Sequence, residues 1–398
     1  MKNKGKNFCM APWTHMSVWQ QGNAYPCCIY DWQDPIGNIN DAGIKGVWNS
    51  EKMKTLRLNM LADKVSPGCD RCNTLDDVGI YSYRRKMNDD FSHHADLIET
   101  TNIDGSVDKV NLAYFDIRFS NLCNMKCRSC GPHFSSKWAE DTKGKPYVIE
   151  INHKDLWTEI EEYIYMIEEV YFTGGESLFM DQHYRLLDML IQAGRSPKLV
   201  YNSNGSRLEH KGKHIQDYWK HIDNRIEFRV SLDQYGKKAE YTRHGQLWST
   251  IENNLKYIKE NIKNVGIYPS PTISVLNILD LKDLMFYLFD NKLATDYDIN
   301  LSNLCMSPEW LDIQILPKDI KKQAEKNLLS ILTGIKNYPM KKKFIDYYNE
   351  NIPRIIEYMH EKDRTDLIPE FKKQMKHIDR IRNENFLDVF PELGELYE

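Results

Sequence analysis

Three cysteines fall within eight residues at Cys123-Asn124-Met125-Lys126-Cys127-Arg128-Ser129-Cys130, in a chain of 398 residues that has only nine. A structural zinc site takes four ligands and a disulfide framework takes an even number of thiols, so three is a poor count for either. Iron–sulfur clusters are ordinarily held by four cysteines. A loop that supplies three thiolates to a cubane cluster leaves one iron open to a reactant.

The upstream cysteines form a second group. Cys9, Cys27, Cys69 and Cys72 make four, enough to close a metal site, and Cys28 is a spare that either replaces Cys27 or fills space. Four cysteines that include a CxxC pair suit tetrahedral zinc and an iron–sulfur cluster equally, and spacing alone leaves both open. His15, in "MAPWTHMSVW", reads as a packed or surface histidine rather than a ligand. Cys305 stands alone.

The composition is that of a soluble globular protein, with 41% hydrophobic and 28% charged residues. A net charge of -4 gives no global attraction to nucleic acid or to an anionic membrane. The run Lys341-Lys342-Lys343 reads as a solvated helix face. No apolar stretch approaches the roughly 18 residues of a membrane span, and no N-terminal leader is evident. The expected compartment is the cytoplasm, where thiols stay reduced and clustered cysteines serve metals or redox chemistry.

The elements that must position these residues follow from hydrophobic period. Short β-rich runs occur at 112–120, 168–174, 198–205, 226–233, 265–277 and 296–303, with amphipathic helical patterns near 154–167, 181–193, 212–222, 248–262 and 279–290. Alternation of this kind predicts parallel strands joined by right-handed crossovers, hence an α/β fold built as a partial (β/α)6 barrel. Chemistry in such a fold gathers at the C-terminal strand ends. The expected layout is a small cysteine-bearing N-terminal domain over 1–100, the barrel over 108–310 and a helical C-terminal region over 311–398. The segment 93–109, "HHADLIETTNIDGSVDK", reads as a linker.

The polar and glycine-bearing signatures fall at the predicted strand ends: the cysteine loop, "TGGES", "NSNG" and "SLD". Together with CxxxCxxC they resemble the radical S-adenosylmethionine (radical SAM) family. The resemblance implies a 4Fe-4S cluster on Cys123, Cys127 and Cys130 whose open iron is chelated by the methionine part of SAM. It implies SAM contacts from Gly174, Gly175 and Glu176, where glycine lets backbone approach a ligand closely. It extends to Asn202 and Asn204, to Ser231 and Asp233 on one face of a strand, to Arg243 near the SAM carboxylate, and to Asn277. Many relatives carry an aromatic residue where this chain has Ser129, so the adenine is bordered by something else.

The series Cys9, Gly22, Cys27, "IGNI" and Cys69-Asp70-Arg71-Cys72 resembles the SPASM and twitch modules, which carry auxiliary 4Fe-4S clusters. Here the module precedes the barrel rather than following it, and its cysteine count implies one auxiliary cluster. The implied activity is reductive cleavage of SAM to a 5′-deoxyadenosyl radical that abstracts hydrogen from a peptide or protein residue, with the auxiliary cluster as electron acceptor. A small-molecule dehydrogenase or isomerase acting on a sugar or nucleotide is the alternative enzyme, and a non-catalytic cluster-binding protein the alternative outside that class. Implied partners are the substrate and an electron donor such as flavodoxin or ferredoxin, with no membrane and no nucleic acid.

Overall fold

The computed structural model describes residues 5–77, 79 and 81–397. The chain divides into two compact units: Met1–Asn121 with Val148–Val200 and Lys220–Asn224, and Leu122–Tyr147 with Tyr201–Trp219 and Arg225–Glu398. The fold is mixed α/β with parallel strands and a helical C-terminal region, and no closed barrel is found among the described residues.

Strands are numbered along the chain as β1 His15–Val18, β2 Asn23–Tyr25, β3 Gly37–Asn38, β4 Tyr114–Ile117, β5 Glu169–Phe172, β6 Lys198–Ser203, β7 Ile226–Val230 and β8 Val265–Pro269. In the first unit β1 pairs in parallel with β4, and β4 with β5, while β1, β2 and β3 form an antiparallel meander. One face of β1, β4 and β5 is wholly apolar: Met16, Val18, Phe115, Ile117, Val170 and Phe172 are all fully buried. The strand period of two puts His15, Ser17 and Asp116 on the other face. That β1 lies directly beside β4 was not expected, since the cysteine-rich N-terminal region reads as separate from the strands that follow. Helix Asp181–Gln192 buries Tyr184, Leu186, Leu187 and Leu190, the stripe that its 3.6-residue period predicts.

In the second unit β7 and β8 are parallel, with Ile226 opposite Val265. Residues Ile226, Phe228 and Val230 alternate inward along β7. The expected strand 265–277 stops at Pro269, because Pro269 and Pro271 each lack a ladder donor. Helices Trp248–Asn261 and Leu281–Asp290 follow β7 and β8, and Lys318–Gly334, Lys342–Glu361 and Ile368–Arg382 make up most of the C-terminal region.

Two further expectations fail. The sixth strand, 296–303, does not form: Asp296 and Tyr297 take positive φ of 54° and 60°. Nearby N–H groups that a ladder would use go to side chains, Ile299 N–H to the Tyr348 hydroxyl at 2.9 Å and Leu301 N–H to the Tyr347 hydroxyl at 2.9 Å. What remains of pairing is a parallel bridge between Ile273 and Leu304, with Asn300 N–H donating to the Pro269 carbonyl at 2.9 Å and Ile273 N–H to the Asn303 carbonyl at 2.8 Å. The segment 93–109 is also more than a linker, because Ser92–Thr100 forms a 3-10 helix with a kink at His94.

Tyr348 is fully buried, accepts from Ile299 N–H and donates to the Tyr297 carbonyl at 2.7 Å. Tyr348→Phe therefore strands a buried donor and a carbonyl, and is expected to cost roughly 1–3 kcal/mol. Urea unfolding checks this, with a lower midpoint and an unchanged slope as the expected result.

Candidate metal centres

The cysteine loop of the second unit is held through its backbone groups by neighbouring side chains and by a short strand pairing. Cys123 N–H donates to Ser136 Oγ at 3.2 Å, Ser135 Oγ donates to the Met125 carbonyl at 2.7 Å, and Trp138 Nε1 donates to the Cys127 carbonyl at 2.9 Å. Lys126-Cys127 pairs in antiparallel fashion with Arg243-His244, Cys127 opposite Arg243. Arg128 N–H donates to the Thr242 carbonyl at 2.8 Å.

That pairing brings three of the expected site residues together. Arg243 Nη1 lies 3.9 Å from the Cys127 sulfur. Its Nη2 donates to Asp233 Oδ1 at 2.9 Å, and its Nε lies 2.8 Å from Asp233 Oδ2. Burial pushes the Cys127 thiol up, while Arg243 pulls it back. Burial and the neighbouring Cys127 push Cys130 up to about 12. Thiols in this condition lose their protons only when positive charge arrives, and a metal cluster supplies it. The donor set fits the cluster that the spacing suggests.

Other expected residues are tied into the surrounding loops and strands. The Asn277 amide holds a loop: Oδ1 accepts from Ser274 N–H at 2.8 Å, and Nδ2 donates to the carbonyls of Thr272 and Asp233 at 3.0 and 3.3 Å. Asn204 Nδ2 donates to Asn124 Oδ1 at 3.0 Å, so the NSNG turn is tied to the cysteine loop itself. Ser231 N–H donates to the Ser203 carbonyl at 2.8 Å, which leaves its hydroxyl half-buried at the end of β7. Asn202 lies on β6 and is also half-buried.

Gly174, Gly175 and Glu176 belong to the first unit, at the C-terminal end of β5. Gly174 has φ of 122°, and a Cβ there would meet the Ser120 carbonyl oxygen at 3.0 Å, so both conformation and space require glycine. Gly175 N–H donates to that same carbonyl at 3.2 Å. Glu176 is buried, with Oε1 accepting from Leu178 N–H at 3.2 Å.

The second centre lies wholly in the first unit. A turn at Gly22, whose φ is 88°, joins β1 to β2 and returns the chain so that Cys27 follows β2 while Cys9 precedes β1. Cys69 and Cys72 sit three apart at the start of helix Asp70–Asp77, a spacing that puts two side chains on one face. All four line one cavity with Tyr30 and Arg84. Burial pushes Cys9 up to about 12, helped by Cys69 and Cys72, and Cys69 up to about 11. Cys27 is raised well above its usual value by burial and by Cys28, Cys9 and Cys69. Four mutually destabilising thiols around one hollow fit a bound cationic centre.

Cys28 is absent from that lining. Its surroundings are Tyr83, Asp116 and Arg118, and burial raises it to about 11. His15 is fully buried and stacked on Tyr114 with centroids 4.2 Å apart, a packed histidine as expected. Cys305 is buried, with its thiol facing the Ser307 carbonyl at 3.6 Å.

Two arginines were missed in the sequence. Arg128, between the second and third cysteines, is fully buried: Nη2 donates to Asp379 and to Glu384, each at 2.7 Å, and its guanidinium lies 3.6 Å from the centroid of the Tyr241 ring. Arg84 draws the Cys69 and Cys72 thiols back down against the effect of burial, and pairs with Asp76 at 2.9 Å. A charged residue inside a cysteine loop was the available signal for Arg128. Its partners lie about 250 residues away and had none.

Residues 9–73 match the SPASM family, an iron-sulfur cluster-binding domain, and residues 117–288 match the radical SAM superfamily. Among solved structures the chain is similar to one described as native anSMEcpe with bound AdoMet, at 14% identity and a TM-score of 0.38. That match covers 54% of this chain and 58% of the other, so less than two thirds of that protein is spanned. A search of curated proteins returns no match. The radical SAM match implies a 4Fe-4S cluster with SAM, and the SPASM match implies further iron–sulfur binding.

Two outcomes follow from this geometry. After anaerobic reconstitution, Cys27→Ser is expected to lose about half of the roughly eight irons that two 4Fe-4S clusters hold, while Cys28→Ser keeps them; iron and sulfide analysis checks this. Asp379→Leu removes one of two carboxylates from the buried Arg128, and is expected to cost about 3 kcal/mol, the lower end for a broken buried pair. Guanidinium unfolding reads the loss, and electron paramagnetic resonance of the reduced protein reads the accompanying disturbance at the Cys123–Cys130 loop.

Proposed function

From a chain that is a radical SAM protein with an N-terminal SPASM domain, we propose that it cleaves SAM reductively and uses the resulting 5′-deoxyadenosyl radical to take hydrogen from a peptide or protein residue, the SPASM-domain cluster accepting the electron left behind. The observation that supports this most directly is the strand pairing of Cys127 with Arg243, whose guanidinium is held by Asp233. It combines a metal-ligating thiol, a fixed cation suited to a carboxylate and a carboxylate suited to hydroxyls within one rigid patch.

In this reading Cys123, Cys127 and Cys130 hold the SAM-binding cluster, and the three-ligand count keeps one iron for the amino acid part of SAM. Arg243 orients the SAM carboxylate, and its bidentate contact with Asp233 prevents it from swinging onto a thiolate. Gly174 and Gly175 permit close backbone approach, and Glu176 offers an acceptor for the SAM amino group. Asn202, Asn204, Ser231 and Asp233 offer polar groups to the nucleoside. Asn277 acts through the loop that it ties to the Asp233 and Thr272 carbonyls.

Cys9, Cys27, Cys69 and Cys72 hold the auxiliary cluster with no ligand position left over, which suits electron transfer rather than substrate binding. An external one-electron donor of the flavodoxin or ferredoxin kind reduces the first cluster. No helix among the described residues is long and apolar enough to cross a membrane.

Reconstituted protein with dithionite and SAM is expected to release 5′-deoxyadenosine, and Cys127→Ala to abolish it; a cluster-loaded wild type that leaves SAM intact refutes the enzyme reading. Mass spectrometry of peptides encoded beside this gene then tests the substrate, with loss of two hydrogens as the expected change. Turnover of a sugar or nucleotide instead replaces the peptide reading and leaves the radical chemistry standing.

A further inference from the structure

His93 and His94 are consecutive, yet both rings aim at one carboxylate. His93 Nε2 lies 2.9 Å from Glu168 Oε2, and His94 Nε2 lies 2.7 Å from Glu168 Oε1. The three ligand atoms all lie within 4.8 Å of one another. Neighbouring residues on a helix point about 100° apart, or 120° on a 3-10 helix, and do not face a common target. Here they do because His94 leaves the helical region, with φ of -93° and ψ of 18°. Conformations in this bridge region are sparsely used and recur at functional positions.

The group is also braced by the backbone of Glu168 and by an aromatic floor. Glu168 donates its N–H to the Ala113 carbonyl and accepts from Lys198 N–H, each at 2.8 Å, so its backbone is fixed between β4 and β6. Phe91 lies beneath both imidazoles, at 6.3 and 6.4 Å between centroids, and stacks on Tyr114 at 5.9 Å. Solvent reaches the site, since the His93 side chain is 54% exposed and that of His94 19%.

We propose that His93, His94 and Glu168 bind a divalent transition-metal ion, zinc being the best match. Two imidazoles and one carboxylate with a position left for water form a regular zinc donor set, and imidazole favours zinc, copper and nickel over magnesium or calcium. Binding replaces two hydrogen bonds at a partly exposed carboxylate with three coordination bonds, each neutral imidazole keeping its one proton on Nδ1 while Nε2 holds the ion. The site lies at the N-terminal ends of β4 and β5, whereas Gly174 to Glu176 lie at the C-terminal end of β5. The ion thus acts as a clamp between the 3-10 helix Ser92–Thr100 and the N-terminal ends of these two strands.

The test uses the full chain with its iron–sulfur sites reconstituted, so that cysteines do not capture the probe. Equilibrium dialysis against zinc chloride at pH 7.5, with metals counted by mass spectrometry, is expected to show one zinc per chain beyond the iron, and a higher thermal midpoint with zinc than without. His94→Ala and the more exposed His93→Gln are each expected to weaken binding at least tenfold and to remove the zinc-dependent midpoint shift. Cobalt in place of zinc is expected to give the visible bands of a tetrahedral nitrogen and oxygen site. No zinc bound by the loaded wild type overturns the proposal and shows a hydrogen-bonded pair only. Zinc bound equally well by wild type and His93→Gln also overturns it. If His94→Ala fails to fold, His93→Gln decides.

Discussion

The second unit depends on a full positive charge buried inside the cysteine loop. Arg128 stands between Cys127 and Cys130 with no exposed surface, and a guanidinium there is tolerable only because Asp379 and Glu384 meet it and Tyr241 stacks on it. Asp379 is itself fully engaged, accepting from the hydroxyls of Tyr241 and Tyr397 and from Phe386 N–H. The C-terminal helices are therefore part of the loop's support. A parallel contact joins Lys126 and Arg382 to Asp141. The last quarter of the chain thus pins Arg128 directly and Lys126 through Asp141, and Cys127 between them inherits that rigidity.

A related constraint organises the first unit. Four thiols must meet although they are spread over more than 60 residues, and each is costly as a thiolate when buried. The β1–β2 hairpin returns Cys27 to the neighbourhood of Cys9, and a helix start presents Cys69 and Cys72 together. Gly68, with φ of 82°, leaves room for the Tyr30 ring, which a Cβ there would overlap at 2.3 Å. Arg84 then draws two of these thiols back down.

Where expectation and structure part, local preference was outweighed by a distant group. The segment 296–303 has the composition of a strand, but the hydroxyls of Tyr347 and Tyr348, some 50 residues on, take N–H groups that a ladder needs. Asn277 has the chemistry of a ligand-binding residue, yet the turn after β8 uses both ends of its amide. Cys27 and Cys28 are chemically identical, and only the direction of the chain leaving β2 sends one towards the cavity and the other towards Asp116. The histidine pair looked like part of a linker because the convergence of its rings comes from a backbone kink and from a glutamate over 70 residues away.

What the sequence determined by itself was whatever rests on short spacing and period: the three-thiol loop, the CxxC pair, the glycine that only a close approach explains, and the alternation of strands and helices. Those signals are local, because thiol spacing, Cβ clearance and side-chain period are set by a few adjacent residues. The tertiary structure alone decided which of Cys27 and Cys28 lines the cavity with the other three, that Arg243 and Asp233 converge on Cys127, that the C-terminal helices hold the loop, and that β1 joins β4. These depend on burial and on charge compensation between residues far apart in the chain, and no short window of sequence carries either quantity.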